Sequence, residues 1–440
     1  MSDAKPLPTG VEPKWYEGIT RYQWLVLVIA SLGWVFDVFE GQIFVASMNE
    51  AFGALLPPDT SAGDRTLFTN ISFASFLLGG ALGGVVFGSL SDRIGRTKTM
   101  IYTILVYSLF TCFTAFAQNW WQMAIMRFLV AMGVGGEWAV ASAMVAEVFP
   151  ARARARTSSI FHGSSVLGSY MAAIAGIYVV GNSALGEHGW RWGFAIGALP
   201  ALLTIWIRVK LREPDSWVAA RDRANKDESK RAGRISELFS GPHIRGTMIG
   251  LTLSTVGLAT FWGVHIYGKN FLQRATERSI LQENAEELTN LTAELTAAGR
   301  GAEAGSEAKK TVLQRRSRES KVGEMLGMIV TTTGGGIGLF AFGPICEWIG
   351  RRGAFFFYHI GAFIASLVLF YVFPASSVGV YCWTLPVFGF FTLGMHAGYA
   401  VYFPELYPTR LRGTGGGFCF NVGRISAAGV ILLVGLMSSD

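Results

Sequence analysis

The chain of 440 residues is 51% hydrophobic and only 15% charged, a balance that excludes an ordinary soluble domain of this length and requires lipid to cover much of its surface. Its net charge of +7 gathers in loops between apolar stretches, so it records membrane orientation rather than nucleic-acid binding. Cys112, Cys346, Cys382 and Cys419 fall in separate stretches or at their edges, without CxxC or metal-ligand spacing, which excludes a disulfide or zinc framework.

Residues 1–22, with Asp3, Pro6, Pro8, Pro13 and Glu17, lack the apolar core of a cleavable signal and read as a tail on the inner side. Eleven apolar stretches follow, each long enough to cross about 30 Å of hydrocarbon. They lie near 23–48, 67–90, 99–117, 120–149, 157–180, 190–211, 245–272, 322–346, 354–373, 381–403 and 414–437. The expected architecture is an all-α membrane protein of two six-helix pseudo-repeats lacking a twelfth span. Spans one to six occupy 23–211, a cytoplasmic loop 212–244, and spans seven to eleven 245–440. Lys and Arg concentrate at 91–98, 150–157 and 207–245 and after spans eight and ten, whereas the opposite short loops carry only Arg65. That bias predicts a cytoplasmic amino terminus.

One segment is written twice. Gly88-Ser-Leu-Ser-Asp92-Arg93-Ile-Gly95-Arg96 returns as Gly343-Pro-Ile-Cys-Glu347-Trp-Ile-Gly350-Arg351, and Glu147 to Arg154 returns as Glu405 to Arg412, each about 255 to 258 residues on. Parallel repeats of this kind predict two halves enclosing a midplane site, as in secondary transporters. Gly88 and Gly95 predict a tight turn between spans two and three. Asp92, followed by Arg93, is suited to capping helix-start amides and pairing with an arginine. Arg96, Glu147 and Arg154 predict one charge cluster, and Arg351, Glu405 and Arg412 a matching one, with Glu347 the counterpart of Asp92. These charges either bias which face is open or only fix loop geometry.

Ionisable residues within spans are costly and usually face an aqueous path. Asp37 and Glu40 stand three residues apart on one face of span one, and desolvation together with mutual repulsion predicts that at least one takes up a proton in the working range. Their role is proton coupling, substrate binding or structural pairing. The internal alignment puts Val264 and Tyr267 at these places in span seven, which confines a carboxylate proton site to the amino-terminal half. In span four, Glu137 is a substrate or proton residue, a helix-packing acceptor or an arginine's partner. Trp138 follows it, and Arg127 lies nearer the outer end. In span eleven, Asn421 precedes Arg424, which is an anchor for an anionic substrate, a partner for Asp37, Glu40 or Glu137, or a snorkelling charge. His265, Tyr267 and Lys269 in span seven and His396 in span ten add donors, and Trp262, Trp383 and Tyr399 add aromatic walls or packing.

The charged stretch 273–321 between spans seven and eight carries Leu281, Leu288 and Leu295 at heptad spacing, and Gly301 and Gly305 interrupt it. It predicts a helix, a turn and a second basic helix, serving as a solvated hairpin or a docking surface.

The duplicated loop, Arg127-Phe-Leu ahead of Gly133 and Gly135, Glu147 to Arg154, Gly189-Trp-Arg191-Trp and Arg212-Glu213-Pro-Asp-Ser-Trp217 together resemble the major facilitator superfamily. The resemblance covers nearly the whole chain outside 273–321, and within the superfamily it is to the sugar-porter-like branch that includes metabolite and aromatic-acid proton symporters. Trp348 departs from it, replacing the second loop's arginine. The resemblance implies alternating access, a conformational gate at the duplicated loops and communication between Arg127 and the span-one acids. No Walker A, HExxH or Gly-x-Ser-x-Gly motif is present, so no catalytic residue, cofactor or metal is expected. The leading expectation is a monomeric, multi-pass symporter of the cytoplasmic membrane that moves a small organic acid with protons. The alternatives are a sugar or polyol facilitator or symporter, disfavoured by the scarcity of amides beyond Gln42, Asn70, Gln122 and Asn421, and a non-transporting sensor acting through the hairpin.

Overall fold

A computed structural model describes residues 14–209, 211–226 and 231–439. The prolines and Asp3 at the start of the tail, residues 227–230 of the central loop and Asp440 lie outside the described residues. All regular elements among the described residues are helical.

In the amino-terminal half α1 spans Arg21–Leu55, α2 Ala62–Ile94, α3 Arg96–Thr114 and α4 Trp120–Val148. The fifth crossing is α5 (Ala151–Gly163) continued by α6 (Ser165–Ala175), and the sixth is α7 (Gly189–Arg208). Local chemistry sets the helix ends. Thr20 and Gln23 form a reciprocal capping box at the start of α1. Gly95, at φ 121°, turns α2 directly into α3, a conformation that a side chain would strain. Arg191 donates to the Ala115 and Ala117 carbonyls, at 2.7 Å each, and so satisfies acceptors just beyond the end of α3.

A loop helix, α8 (Asp215–Lys226), joins the halves. The seventh crossing runs through α9 (Ile244–Gly263), a single turn at His265–Tyr267 and α10 (Gly268–Glu283). A helical hairpin follows, α11 (Ala285–Leu295) and α12 (Ala304–Arg315), before α13 (Ser317–Leu367), α14 (Val378–Gly394), α15 (Ala397–Tyr402) and α16 (Arg412–Ser439). Gly350 breaks α13 with φ 77°, repeating the conformation of Gly95 at the equivalent place in the second half. Among the described residues, eight helical segments are long and apolar enough to cross a membrane, α13 among them. Dividing α13 at Gly350 and adding the shorter α3 and α7 gives the eleven crossings expected. In the hairpin the reversal sits at Gly299, φ 84°, whereas Gly305 lies inside α12. Ala304, Ala308 and Val312 are buried, and Arg315 pairs with Glu287 across the hairpin.

Glycines allow the backbones to touch. A Cβ on Gly83 would lie 2.0 Å from the Met132 carbonyl oxygen, and one on Gly135 2.2 Å from that of Gly80, so α2 and α4 cross in direct contact. Gly88 does not make the interhelical turn expected of it. It lies within α2, where a Cβ would stand 2.6 Å from the Gly413 carbonyl of α16, and its counterpart Gly343 packs against α5. The duplicated motif thus supplies close contacts between the two halves.

Candidate functional site

A central cavity of about 100 Å³ lies between the halves. Its polar lining includes Asp37 and Gln42 of α1, His162 of α5, His265 beyond α9, His396 beyond α14 and Arg424 of α16, with Trp34, Phe76, Phe261, Trp262 and Phe420 as aromatic walls. Arg424 is 4% exposed and lies over the Phe420 ring at 5.5 Å. Its guanidinium makes no ion pair or hydrogen bond among the described residues, and it rests on Gly80 of the opposite half, where a Cβ would meet Nη1 at 2.0 Å. It is therefore not the partner of Asp37, Glu40 or Glu137.

Those three acids separate into different environments. Glu40 turns into the amino-terminal bundle, pairs with Arg127 at 2.5 Å and accepts from Thr111 Oγ1 at 3.0 Å. Arg127 also donates to Thr114 Oγ1 at 2.6 Å and lies over the rings of Phe194 and Phe44. Glu137 pairs with Arg208 at 2.6 Å and accepts from Thr103 Oγ1 at 2.8 Å. Asp37 alone faces the cavity, is fully buried and has no hydrogen-bond partner on either carboxylate oxygen. Glu40 is thus neutralised by Arg127, while Asp37 stays beside it without an ion pair at contact distance, with Glu137, Arg208 and Tyr107 as its other polar neighbours.

Other expected site residues also move. Asn421 donates to the Gly135 and Gly417 carbonyls, tying α16 to α4 outside the cavity lining. Trp138 lies behind the cavity, stacked on Phe420 with centroids 3.7 Å apart and donating to His162 Nδ1 at 3.1 Å. Tyr267 lines a second, outer cavity rather than the central one. Trp383 is 82% exposed, and Tyr399 is buried with its hydroxyl donating to the Leu253 carbonyl. Trp262, His265 and His396 do line the centre, with His265 Nδ1 2.7 Å from Thr392 Oγ1 and His396 Nε2 unpartnered.

Three residues escaped the sequence reading. Arg208 falls by sequence among the cytoplasmic loop charges, yet it is fully buried and fits only because α1 has a glycine at Gly33. His162 was hidden in a polar, arginine-rich stretch. Glu324 is a buried carboxylate in the carboxy-terminal half, where none was expected, and it pairs with Lys269 and Lys321. The spacing of Lys321 and Glu324 on one helix face was its available signal.

At the end carrying the duplicated loops, Asp92 receives Arg96 Nη1 at 2.7 Å. It also accepts the Thr414 amide at 2.8 Å, the Thr414 hydroxyl at 2.6 Å and the Gly413 amide at 3.2 Å. It therefore caps the opposite half's α16. Arg96 also pairs with Glu147 at 2.7 Å and donates to the Thr409 carbonyl. Two matching clusters do not form. Arg154 donates to the Phe149 carbonyl, while Arg412 crosses over to Glu147 at 3.5 Å. Arg351 keeps Glu405 at 2.8 Å, and Glu347 reaches Arg156 of the other half at 2.8 Å. The central loop straps this face. Glu213 accepts the first amides of α3, Trp217 donates to the Asp92 carbonyl, and Gly233 accepts from Ser89 and Arg93 while donating to the Arg410 carbonyl. Glu237 accepts a bidentate grip from Arg410, which holds its carboxyl below the usual glutamate range.

Two pseudo-repeated helical halves around a buried, mixed polar and aromatic cavity define a multi-pass membrane transporter of small molecules rather than an enzyme. Residues 38–274 match the Major Facilitator Superfamily, and the chain belongs to it. It is 27% identical over 411 residues to the sialic acid transporter NanX of Escherichia coli, covering 93% of this chain and 86% of that one. It is also 27% identical over 412 residues to the gentisate transporter of Corynebacterium glutamicum, covering 93% and 81%. Among solved structures, the proton:xylose symporter XylE bound to 6-bromo-6-deoxy-D-glucose superposes with a TM-score of 0.64 at 16% identity, covering 94% of this chain and 89% of that one.

Proposed function

We propose that this protein carries a small organic acid, an aromatic or other metabolite carboxylate, across the cytoplasmic membrane together with a proton, by alternating exposure of the central cavity. The observation that carries this reading is the Arg424 guanidinium, buried, without a counter-ion and set among aromatic walls at the contact between the halves. Arginine stays charged, and its planar fork matches a carboxylate. An unpaired buried charge is costly, so a bound anion is the partner that relieves it. The relatives named for gentisate and sialic acid are named for carboxylic acids, which supports the same class.

Asp37 is the proton carrier in this reading. A buried carboxylate without a hydrogen bond or ion pair at contact distance is most stable when a proton joins it, and Asp37 borders the same cavity as Arg424. Glu40 with Arg127 and Glu137 with Arg208 are internally neutralised pairs that hold the amino-terminal bundle around it. The duplicated-loop end faces the cytoplasm, where Asp92, Glu347 and their partners form the gate that must part for release. The protein works as a monomer, because the cavity and both latches are complete within one chain.

Gln42, Ser165, Ser169, Thr331 and Thr332 also line the cavity and favour a polyhydroxylated substrate as the second reading. Purified protein in liposomes with an imposed pH gradient decides between them. Uptake of gentisate, sialic acid, benzoate and xylose is measured side by side. Gradient-dependent accumulation of at least one carboxylate is expected. Accumulation of xylose alone overturns the organic-acid reading, and uptake of carboxylate that ignores the pH gradient overturns the coupling. Loss of all uptake on deleting residues 285–315 would promote the hairpin from accessory to essential.

A further inference from the structure

A second cavity, of about 630 Å³, opens at the hairpin end between α1, α2, α10 and α13. It is lined by three cations, Arg65, Lys269 and Arg274, and two acids, Glu277 and Glu324. The acids are satisfied. Glu324 pairs with Lys269 and Lys321, and Glu277 accepts from Gln273 and from Ser320 Oγ at 2.6 Å. Arg65 and Arg274 have no ion pair and no side-chain hydrogen bond among the described residues, and although Glu277 keeps its charge, the lining holds three cations against two carboxylates, so its field favours an anion.

Among the described residues, only Lys269 and Val45 line both this vestibule and the central cavity. They are also bonded to each other, Lys269 Nζ donating to the Val45 carbonyl at 3.2 Å. The partition between the cavities is therefore a contact between the halves whose donor is a lysine. Beside it, Lys321 Nζ donates to the Ala46 carbonyl at 2.5 Å and pairs with Glu50 at 2.9 Å, so the same turn of α1 is tied twice to the carboxy-terminal half.

We propose that the vestibule is a loading subsite for a carboxylate and that Lys269 hands the anion inward. Arg65 and Arg274 attract the anion from the hairpin side. The arriving carboxylate competes with Glu324 and the Val45 carbonyl for Lys269 Nζ, and Lys321 remains to neutralise the displaced Glu324. Releasing the Lys269–Val45 contact opens the partition toward Arg424. The cations form a graded path, two at the rim, one at the partition and one in the centre. This inference rests on the organic-acid reading and adds a sided, stepwise route to it.

The test is initial flux in oriented liposomes, measured separately from the hairpin side and from the duplicated-loop side. The probe is gentisate, sialic acid or benzoate, whichever wild type accumulates fastest. Arg65→Gln/Arg274→Gln should raise KM from the hairpin side about tenfold with unchanged maximal rate, lose its salt dependence, and leave flux from the other side as in wild type. Lys269→Met should cut the maximal rate from the hairpin side, and Lys269→Arg should restore most of it. Equal losses from both sides would mean damage to the fold and would overturn the inference. So would an unchanged KM in the double variant while wild type transports the probe, and that result leaves the organic-acid reading standing. If wild type accumulates no carboxylate at all, both fall together.

Discussion

Asp37 and Glu40 share a helix face in sequence, yet their substitutions should differ in kind. Asp37→Asn removes an acid that makes no ion pair at contact distance, so we expect loss of pH-driven accumulation with preserved counterflow and near-normal thermal stability. Glu40→Gln leaves Arg127 buried with its charge uncompensated, which costs about 3–5 kcal/mol, so the detergent-solubilised protein should melt markedly earlier. Identical thermal shifts in the two variants would contradict the division of roles. Arg424→Lys keeps the charge and loses the fork, so binding of the transported acid should weaken by about 1–3 kcal/mol while binding of its methyl ester changes little. Competition binding with matched acid and ester pairs reads this directly, and a uniform loss across both would remove Arg424 from carboxylate recognition.

Helix contacts are governed by glycines whose neighbours come from elsewhere in the chain. A methyl group at Gly83 would meet the Met132 backbone at 2.0 Å, and neither backbone can yield without separating α2 from α4. Gly83→Ala should therefore destabilise by about 1–3 kcal/mol, as overpacking does, whereas Gly416→Ala, which has open space around it, should be neutral. Thermal unfolding monitored by fluorescence distinguishes the two. The loop strap has its own pH dependence. Glu237 is held below the ordinary glutamate range by Arg410, so its stabilising contribution is present above that range and lost as pH falls through the lowered value. Protease nicking of the central loop should be constant from pH 8 to about pH 5 and rise only near or below about pH 4.

Across the whole molecule, the charge networks of the duplicated-loop end are unequal because their surroundings are. Asp92 is buried and accepts from Arg96 and from the start of α16, while Glu347 is half exposed and holds Arg156 alone. Asp92→Asn should shift the resting population strongly toward opening at this end, and Glu347→Gln only slightly, since exposed pairs contribute about 0–1 kcal/mol. Sided cysteine labelling reports the shift. Labelling of Asp92→Asn indistinguishable from wild type would show that the buried network is not a latch.

The repeat, the eleven crossings and the glycine turn at Gly95 were legible in the chain because they depend on local hydropathy, length and backbone freedom. Asp37, Trp262, His265, His396 and Arg424 stood out in the chain because polar and aromatic groups inside an apolar span need a reason to be there, and all five line the central cavity. The partners were not legible. Arg208 read as a loop charge, Asn421 and Trp138 read as ligands, and Arg412 was assigned to the wrong cluster, because each is decided by which faces of distant helices meet. A span's sequence has the same apolar character toward lipid, toward a neighbouring helix and toward a cavity. Only the packing of α1 and α7 against α4, with Gly33 making room for Arg208, and of α16 against Gly80 of α2, determines that Glu40 and Glu137 are paired while Asp37 and Arg424 are left facing the cavity.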